Sequence, residues 1–347
     1  MIQRYRTPPG YRDTPFIYVF DPFTLIGNSN YPFSTSGIYQ VCTALIFNQA
    51  VSLLYGERFI LRRMGYSFMI VGPSLPSDQP GGIKLRDGKN LDRFSGFRPL
   101  TASDFTPNDQ QVQNCNLPIC PEIEYPVRSQ MNFDLDLLKI RYSAQDGVNY
   151  GGPVPLSQLI FQGVRRFPNQ APDNRLLQDG WEERPYIYPI DINVNWFYWA
   201  GGVQANGQSP PVRFTIGITD WDFLLMDVRV LNDAIDGMAE GVQATDEVAR
   251  ITLYDWAQVA LSNLPVNLHA MNSADTAGFT GAEGTPQPPG IGIGGTAGAG
   301  AQCPPLLYPN RSNIQFDITS MIQTAHMPSG GQTITIQFIG RRRWPKS

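Results

Sequence analysis

Residues 120–135 read CPEIEYPVRSQMNFDL, and residues 303–318 read CPPLLYPNRSNIQFDI. Aligned at an offset of 183 without a gap, they share eight of sixteen residues: Cys, Pro, Tyr, Pro, Arg, Ser, Phe and Asp. Two unrelated segments of this length would share about one residue. The pairs that define the repeat are Tyr125 and Tyr308, Arg128 and Arg311, Phe133 and Phe316, and Asp134 and Asp317.

A second match follows each copy in the same order. Residues 161–168 read FQGVRRFP, and residues 338–345 read FIGRRRWP. Ordered matches at nearly equal spacing indicate that the chain holds two copies of one domain. We therefore predict an extended N-terminal arm over residues 1–35, a first domain over 36–168 and a second over 169–347. A Gly-rich surface loop is predicted over 273–302 of the second domain.

The repeated segments have the alternation of β-strands. Met131, Phe133 and Leu135 are separated by polar residues, and the same pattern recurs after Asn313. The chain of 347 residues has 33 Gly and 30 Pro, 12 % aromatic residues and only 16 % charged residues. Many turn formers and aromatics with little charge are typical of β-sandwiches. We predict an all-β fold of two tandem jelly-roll domains related by internal duplication.

One segment of the second domain has a different period. In residues 245–264, apolar residues recur at helical spacing through Leu253, Trp256, Ala260 and Leu264. The pattern predicts one short amphipathic helix inserted between strands, with its apolar side in the core.

Catalytic patterns are weak in this sequence. Its two histidines have no metal-ligand spacing to each other or to a cysteine pair. The acidic pairs Asp134/Asp136 and Asp220/Asp222 permit a glycosidase-like or calcium site, but strand or turn positions explain them more simply. We predict no catalytic, cofactor or metal site, and no enzyme.

The basic residues are concentrated at the chain ends, although the net charge is −4. These residues are Arg4, Arg6, Arg12, Arg341, Arg342, Arg343 and Lys346. One hypothesis is contact with anionic lipid or nucleic acid on one side of the molecule. The other is pairing with carboxylates of a neighbouring subunit or domain.

The chain start is polar, and the sequence has no apolar run of membrane-spanning length. We therefore expect a soluble protein made in a cytoplasm. Cys115 and Cys120 are either free thiols or a bridge, and the sequence leaves that open.

Two tandem β-domains in about 350 residues, with long loops at equivalent places, resemble the double jelly-roll major capsid proteins of tailless icosahedral bacteriophages and adenovirus. The resemblance implies a virion structural protein made in the host cytoplasm. It also implies a homotrimer that forms a pseudo-hexagonal capsomer and contacts neighbouring capsomers and minor capsid proteins. The termini would face an internal membrane or the genome.

Two alternatives stay open. One is a minor capsid, vertex or spike protein of such a virus. The other is a glycan-binding or glycosidase tandem β-sandwich, in which Trp196, Tyr198 and Trp199 would offer a sugar platform.

Overall fold

The computed structural model describes residues 10–20, 46–53, 57–67, 83–85, 114–136, 158–168, 181–193, 211–231, 249–271, 302, 304–320 and 333–345. Within these ranges the chain forms fifteen strands and one 3₁₀ turn, Leu268–Met271. The first seven strands are β1 (Tyr11–Phe20), β2 (Ile46–Ser52), β3 (Arg58–Ser67), β4 (Ile83–Leu85), β5 (Asn114–Tyr125), β6 (Gln130–Asp136) and β7 (Gln158–Pro168). The other eight are β8 (Trp181–Asn193), β9 (Val212–Gly217), β10 (Asp222–Leu231), β11 (Ala249–Tyr254), β12 (Val266–Asn267), β13 (Leu306–Tyr308), β14 (Asn313–Ser320) and β15 (Thr333–Pro345). The all-β prediction is confirmed.

The second half is an eight-stranded jelly roll. One sheet has the order β8-β15-β10-β13, and the other has the order β9-β14-β11-β12. Counted within this half, the first, eighth, third and sixth strands form one sheet, and the second, seventh, fourth and fifth form the other. This interleaving is the double Greek key of a jelly roll.

Side-chain alternation places the core between these two sheets. On β14, Ile314, Phe316 and Ile318 are buried, as the period of two predicts. The ring of Phe316 stacks on Phe214 of its own sheet at 5.3 Å and meets Phe338 of the other sheet at 5.1 Å. The core is therefore a true sandwich interior.

The first half repeats this arrangement. Its sheets have the orders β1-β7-β3-β5 and β2-β6-β4. Each order matches the second half strand for strand, with β1 in the place of β8, β7 of β15 and β6 of β14. A counterpart of β12 is not among the described residues of the first half.

The match extends to register and irregularities. Phe59 of β3 lies opposite Tyr125, as Phe223 of β10 lies opposite Tyr308. In their pairing with β7 and β15 respectively, β3 and β10 then both shift register by one residue, after Leu61 and after Leu225. A β-bulge at the same point in both copies indicates that the duplication preserved backbone geometry as well as topology.

The repeated Tyr-Pro-x-Arg-Ser segment forms the turn between neighbouring sheets. Arg128 and Arg311 both have positive φ, at 62° and 64°, in the left-handed region. The Ser129 N–H donates to the Pro126 carbonyl at 3.2 Å, and the Ser312 N–H donates to the Pro309 carbonyl at 3.0 Å. The identical residues of the repeat therefore specify a turn with one residue in the left-handed region, and the strand that follows this turn.

Two expectations from the sequence are wrong in the described residues. A helix was predicted over 245–264, but its described part, 249–264, forms β11 and a turn. In that turn Asp255 Oδ1 accepts the N–H groups of Ala257 and Val259 at 2.9 and 2.8 Å. Trp256, assigned to the core by the helical pattern, is 43 % exposed. A side chain that captures backbone N–H groups favours a turn over a helix.

The second correction concerns the N-terminal arm. Residues 11–20 of the predicted arm over 1–35 form β1, an edge strand that pairs with β7 over ten residues. Its last six residues are all buried. The apolar run from Phe16 to Phe20 explains the difference, because burying it in a sheet is strongly favourable.

Candidate functional site

The two halves meet where the outer edge of β1 contacts the turn between β11 and β12. The Ile17 N–H donates to the Leu261 carbonyl at 2.9 Å, and the Asn263 N–H donates to the Ile17 carbonyl at 3.3 Å. The Asn263 side chain brackets Val19: Oδ1 accepts the Val19 N–H at 2.6 Å, and Nδ2 donates to the Val19 carbonyl at 3.0 Å. Four hydrogen bonds thus cover the edge of the first half.

A glutamine side chain extends this contact from β7. Gln158, fully buried, donates through Nε2 to the Pro265 carbonyl at 3.0 Å. Its Oε1 accepts the Asn267 N–H at 2.8 Å. Both ends of the amide therefore have partners in the second half, as a buried amide requires.

The contact also has an apolar centre. Ile17, Val19 and Ile160 of the first half belong to the hydrophobic cluster that forms the core of the second half. Next to them lies a cavity of about 440 Å³ between the halves. Residues lining it include Phe16, Ile17, Ile119, Leu253, Leu261 and Met271.

This contact is heterologous: one half offers a strand edge and the other offers a turn. Contacts of this kind generate rings or open arrays when they are repeated, because each unit keeps one unused surface of each type. In this chain the contact joins two units of the same fold through different surfaces.

The Arg-Arg pair of the first copy is tied to acids of its own half. Arg166 binds Asp13 through two hydrogen bonds of 2.8 Å. Arg165 pairs with Glu57, which is buried and also accepts the Tyr18 hydroxyl at 3.1 Å. Burial raises the pKa of Glu57 above its ordinary value of 4.5, although Arg165 and Tyr18 oppose the shift.

The second copy uses the same positions with different chemistry. Arg343, equivalent to Arg166, pairs with Glu183 at 2.8 Å. Arg342, equivalent to Arg165, lies over the rings of Tyr186 and Trp221, at 3.0 and 3.6 Å from their centroids. By register, Trp221 takes the place of Glu57, so a cation–π contact replaces the ion pair of the first half.

Three of the arginines predicted to face an anionic surface therefore have partners within the chain. Arg341 binds Glu183 at 2.9 Å, Arg342 is covered by aromatic rings, and Arg343 is 3 % exposed. The sequence left open pairing with acids of a neighbour, but Glu183 belongs to the same half. Arg12 lies in β1 opposite Phe167. Arg4, Arg6 and Lys346 lie outside the described residues.

The repeated aspartate has a structural environment in the second half. Asp317 accepts two hydrogen bonds from Arg213, at 2.8 and 3.0 Å, and one from the Tyr254 hydroxyl at 2.6 Å. These bonds hold the pKa of Asp317 below its ordinary value of 3.8, with Arg213 the main cause. In the first half Asn48 lies opposite Asp134, where Arg213 lies opposite Asp317.

The structure places the remaining repeat residues at matched positions. Tyr125 and Tyr308 are both fully buried, and the Tyr308 hydroxyl donates to the Tyr254 carbonyl at 2.6 Å. Burial raises the pKa of Tyr308. Phe316 is buried, while the side chains of Phe133 and Asp134 lie outside the described set.

Other sequence candidates are only partly described. Asp222 Oδ1 accepts the Asn310 N–H at 2.8 Å, which makes it a turn-stabilising group. The aromatic residues Trp196, Tyr198 and Trp199, the loop over 273–301 and the side chains of Cys115 and Cys120 lie outside the described residues. Among the described side chains there is no group of three or more His, Cys, Asp or Glu that would hold a metal ion. The described residues include no helix long and apolar enough to cross a membrane.

Sequence reasoning missed part of the duplication. β1 begins YRDTPFIY and β8 begins WEERPYIY, in the same register against β7 and β15. The Ile-Lys-Leu of β4 likewise matches the Ile-Thr-Leu at 251–253 of β11. The signal was present in the Pro-aromatic-Ile-Tyr shared at an offset of 170, but three identities in eight residues do not stand out.

No protein-family model matches the chain, and no curated protein matches it. Among solved structures the chain is similar to PBCV-1 VP54 as fitted into a cryo-EM reconstruction of the virophage Sputnik. That similarity has 9 % identity and a TM-score of 0.23, and covers 98 % of this chain and 95 % of the other. A peptide-N(4)-(N-acetyl-β-D-glucosaminyl)asparagine amidase matches with 11 % identity and a TM-score of 0.17, over 87 % of this chain and 91 % of the other. Since both TM-scores are below 0.5, the jelly-roll assignment rests on the strand order alone.

Proposed function

We propose that this protein is a structural component of a virion: a major capsid protein of which three copies form a pseudo-hexagonal capsomer of an icosahedral shell. The observation that carries the proposal is the duplicated jelly roll, whose halves match in strand order, register and bulge position. A chain with two equivalent domains supplies six similar units when three copies associate. Six units around an axis suit hexagonal tiling.

The contact between the halves supports the same proposal. It joins an edge strand to a turn through hydrogen bonds and an apolar centre. Such a contact, repeated between chains, closes a ring whose members alternate between first and second jelly rolls. In this proposal the protein acts by assembly and not by catalysis, and it resides in the virion after synthesis in the host cytoplasm.

The chain ends extend the proposal to the inner side of the shell. Arg4, Arg6 and Lys346 keep their proposed role toward anionic lipid or the genome. Arg341, Arg342 and Arg343 have a structural role first, since each has a partner in the second half. Minor capsid proteins and neighbouring capsomers are the further partners.

The proposal is tested by the oligomeric state of the full chain. Size-exclusion chromatography with light scattering should give three times the chain mass of 38.6 kDa. Class averages of negatively stained particles should show a sixfold outline. A monodisperse monomer at every concentration, especially one that binds a glycan array, would overturn it in favour of the glycan-binding alternative.

A further inference from the structure

We propose that the cavity between the two halves binds a small amphiphilic carboxylate. Its anionic end lies near Arg62 and Arg63, and a hydrogen-bonding group at its other end lies near Ser262. The hydrocarbon chain between these ends has about ten carbons. The site goes beyond the proposed function, because it depends on the contact between the halves and not on association between chains.

The cavity is large enough to hold a small molecule. Its volume is about 440 Å³, whereas close-packed protein interiors leave few voids larger than a water molecule. Pockets for small ligands are typically about 300–1,000 Å³. Since a cavity of about 150 Å³ holds the six carbons of benzene, this one holds at most about 18 non-hydrogen atoms. A ten-carbon chain with a polar group at each end is within that limit.

One side of the cavity is a row of residues that crosses the sheet of the first half. Ser262 bridges to Ile17 of β1, and Ile17 lies opposite Gln162 of β7. Gln162 in turn lies opposite Arg63 of β3, and all four residues line the cavity. Neighbouring strands are about 4.8 Å apart, so the row is about 14 Å long from Ser262 to Arg63. This lining favours an elongated ligand that lies across the strands.

The facing side of the cavity is apolar and belongs to the second half. It consists of buried aliphatic residues and a methionine: Ile251, Leu253, Leu261, Val266 and Met271. A hydrocarbon chain packed against these side chains is removed from water, which is the main source of affinity for apolar ligands. The middle of the ligand is therefore expected to be apolar.

A bulge of β5 forms the solvent-facing end of the cavity. Opposite Arg62 alone, β5 has the four residues 119–122, and three of them line the cavity. The Glu122 side chain, which pairs with Arg62 at 2.8 Å, is 48 % exposed, whereas that of Arg62 is 12 % exposed. Bulges redirect side chains and are common beside binding sites. We therefore place the entrance of the cavity at this bulge.

The charged groups at this entrance have one positive charge in excess. Arg62 and Arg63 line the cavity, and Glu122 is the only acid among the described residues that line it. Arg63 also lies near Asp227, but that carboxylate pairs with Arg229 at 2.9 Å. Three arginines thus stand against two carboxylates, so one carboxylate of a ligand balances the charge. Guanidinium groups match carboxylates in geometry as well as in charge.

The opposite end of the row has a hydroxyl group that lacks a hydrogen bond. Ser262 is 8 % exposed, and its Oγ has no hydrogen-bond partner among the described residues. Rotation about χ1 takes a serine hydroxyl between three staggered positions, and Ser262 lines the cavity. Because a buried hydroxyl without a partner destabilises a fold, a hydroxyl or carbonyl of the ligand is favoured at this end.

Titration calorimetry of the full chain tests this site with three probes of equal chain length, each below its micelle concentration. The probes are 10-hydroxydecanoate, decanoate and decyltrimethylammonium. The wild type should bind 10-hydroxydecanoate one to one and at least as tightly as decanoate. The cationic probe should bind about tenfold more weakly or not at all, because the entrance is positively charged.

Ser262→Ala tests the hydroxyl end of the site. It should weaken the binding of 10-hydroxydecanoate by about tenfold and that of decanoate by less than about twofold, since only the hydroxylated probe loses a buried hydrogen bond. The melting temperature of the free protein should not fall, because Ser262 Oγ has no partner to lose among the described residues. A merely structural role of Ser262 would instead lower the melting temperature and affect both probes equally.

Arg63→Gln tests the anionic end and should weaken both carboxylate probes by about tenfold. Arg58→Gln is the matched control, because Arg58 lies on the same strand and pairs with Glu124 but does not line the cavity. It should bind both carboxylates as the wild type does. Circular dichroism spectra show whether each variant is folded, and Ser262→Ala still tests the site if Arg63→Gln does not fold.

Three outcomes would overturn the inference: a wild type that binds none of the probes, equal affinity for the anionic and cationic probes, or binding of 10-hydroxydecanoate that Ser262→Ala leaves unchanged. Each of them leaves the capsid proposal standing, since that proposal is tested by the oligomeric state. A monomeric protein that binds 10-hydroxydecanoate as described would refute the capsid proposal and support this site.

Discussion

Gly340→Ala tests the close approach between β15 and β10, which recurs between β7 and β3 in the first half. Gly340 lies on β15, opposite Tyr186 on one side and Leu225 on the other. A Cβ at this position would be 2.1 Å from the Leu224 carbonyl oxygen and 2.7 Å from Cζ of Phe223. Neither atom can yield easily, because one is backbone at a bulge and the other belongs to a fully buried ring.

The expected cost follows from what must move. Overpacking a dense core costs about 1–3 kcal/mol, and each weakened ladder hydrogen bond adds roughly 0.5–1.5 kcal/mol. β15 is bonded to β8 and to β10, so a shift away from one strand disturbs the other. We therefore expect Gly340→Ala to lower the free energy of unfolding by about 3 kcal/mol, a large share of the typical total.

Urea unfolding followed by intrinsic fluorescence measures this loss. Gly217→Ala is the control in the same half, because its Cβ would meet only Asn313 Oδ1 at 3.7 Å. It should change stability by no more than about 0.5 kcal/mol. Gly163→Ala should behave like Gly340→Ala, since its Cβ would lie 2.0 Å from the Ile60 carbonyl oxygen. A Gly340→Ala protein as stable as Gly217→Ala would refute the reasoning.

Three further predictions concern side-chain contacts. The pKa of Asp317 is lower in the folded state than its ordinary value of 3.8, so its stabilisation is present above that pH and is lost as the pH falls through the folded value. The stability gap between wild type and Asp317→Asn should therefore shrink in urea unfolding below pH 3.8, and a gap constant from pH 7 to pH 2 would contradict this. Arg343→Ala should lower the free energy of unfolding by about 2 kcal/mol in thermal unfolding, because the buried guanidinium pairs with Glu183. Arg341 is half-exposed, so Arg341→Ala should lower it by less than about 1 kcal/mol. Equal losses of stability in these two variants would contradict the prediction that the buried ion pair stabilises the fold more than the exposed one. Asn263→Ala removes both side-chain bonds to Val19, so hydrogen exchange at the Val19 amide should accelerate by about tenfold, and unchanged exchange would show that the contact between the halves does not depend on Asn263.

The duplicated strand and turn were predictable because their determinants are local. Alternation around Phe316 specifies which side of β14 is buried. This period of two can be recognised in one strand, without knowing its partner strands. The repeated turn is equally local, since Arg311 takes a left-handed conformation between residues adjacent in sequence. The all-β jelly-roll class follows from these patterns.

The helix error shows where local patterns stop. Leu253, Trp256 and Ala260 have helical spacing, yet Leu253 lies in strand β11 and Trp256 begins an exposed turn. Short apolar runs fit both periods, and tertiary pairing of β11 with β14 decides between them. The same holds for Tyr11–Phe20. The sequence predicts part of an extended arm there, but pairing with β7 makes this segment a strand.

The contact between the two halves depends on tertiary structure alone. Ile17 and Ile187 have nearly the same neighbours in sequence, but only the fold brings residues 261–263 onto one of them and leaves the other exposed. Likewise Arg343 finds Glu183 some 160 residues away in sequence, because β8 and β15 are neighbours in one sheet. Alternation and turn chemistry act over a few residues, so they are enough to predict the repeated jelly-roll unit. Long-range strand pairing decided how the two units meet and which edge stays open.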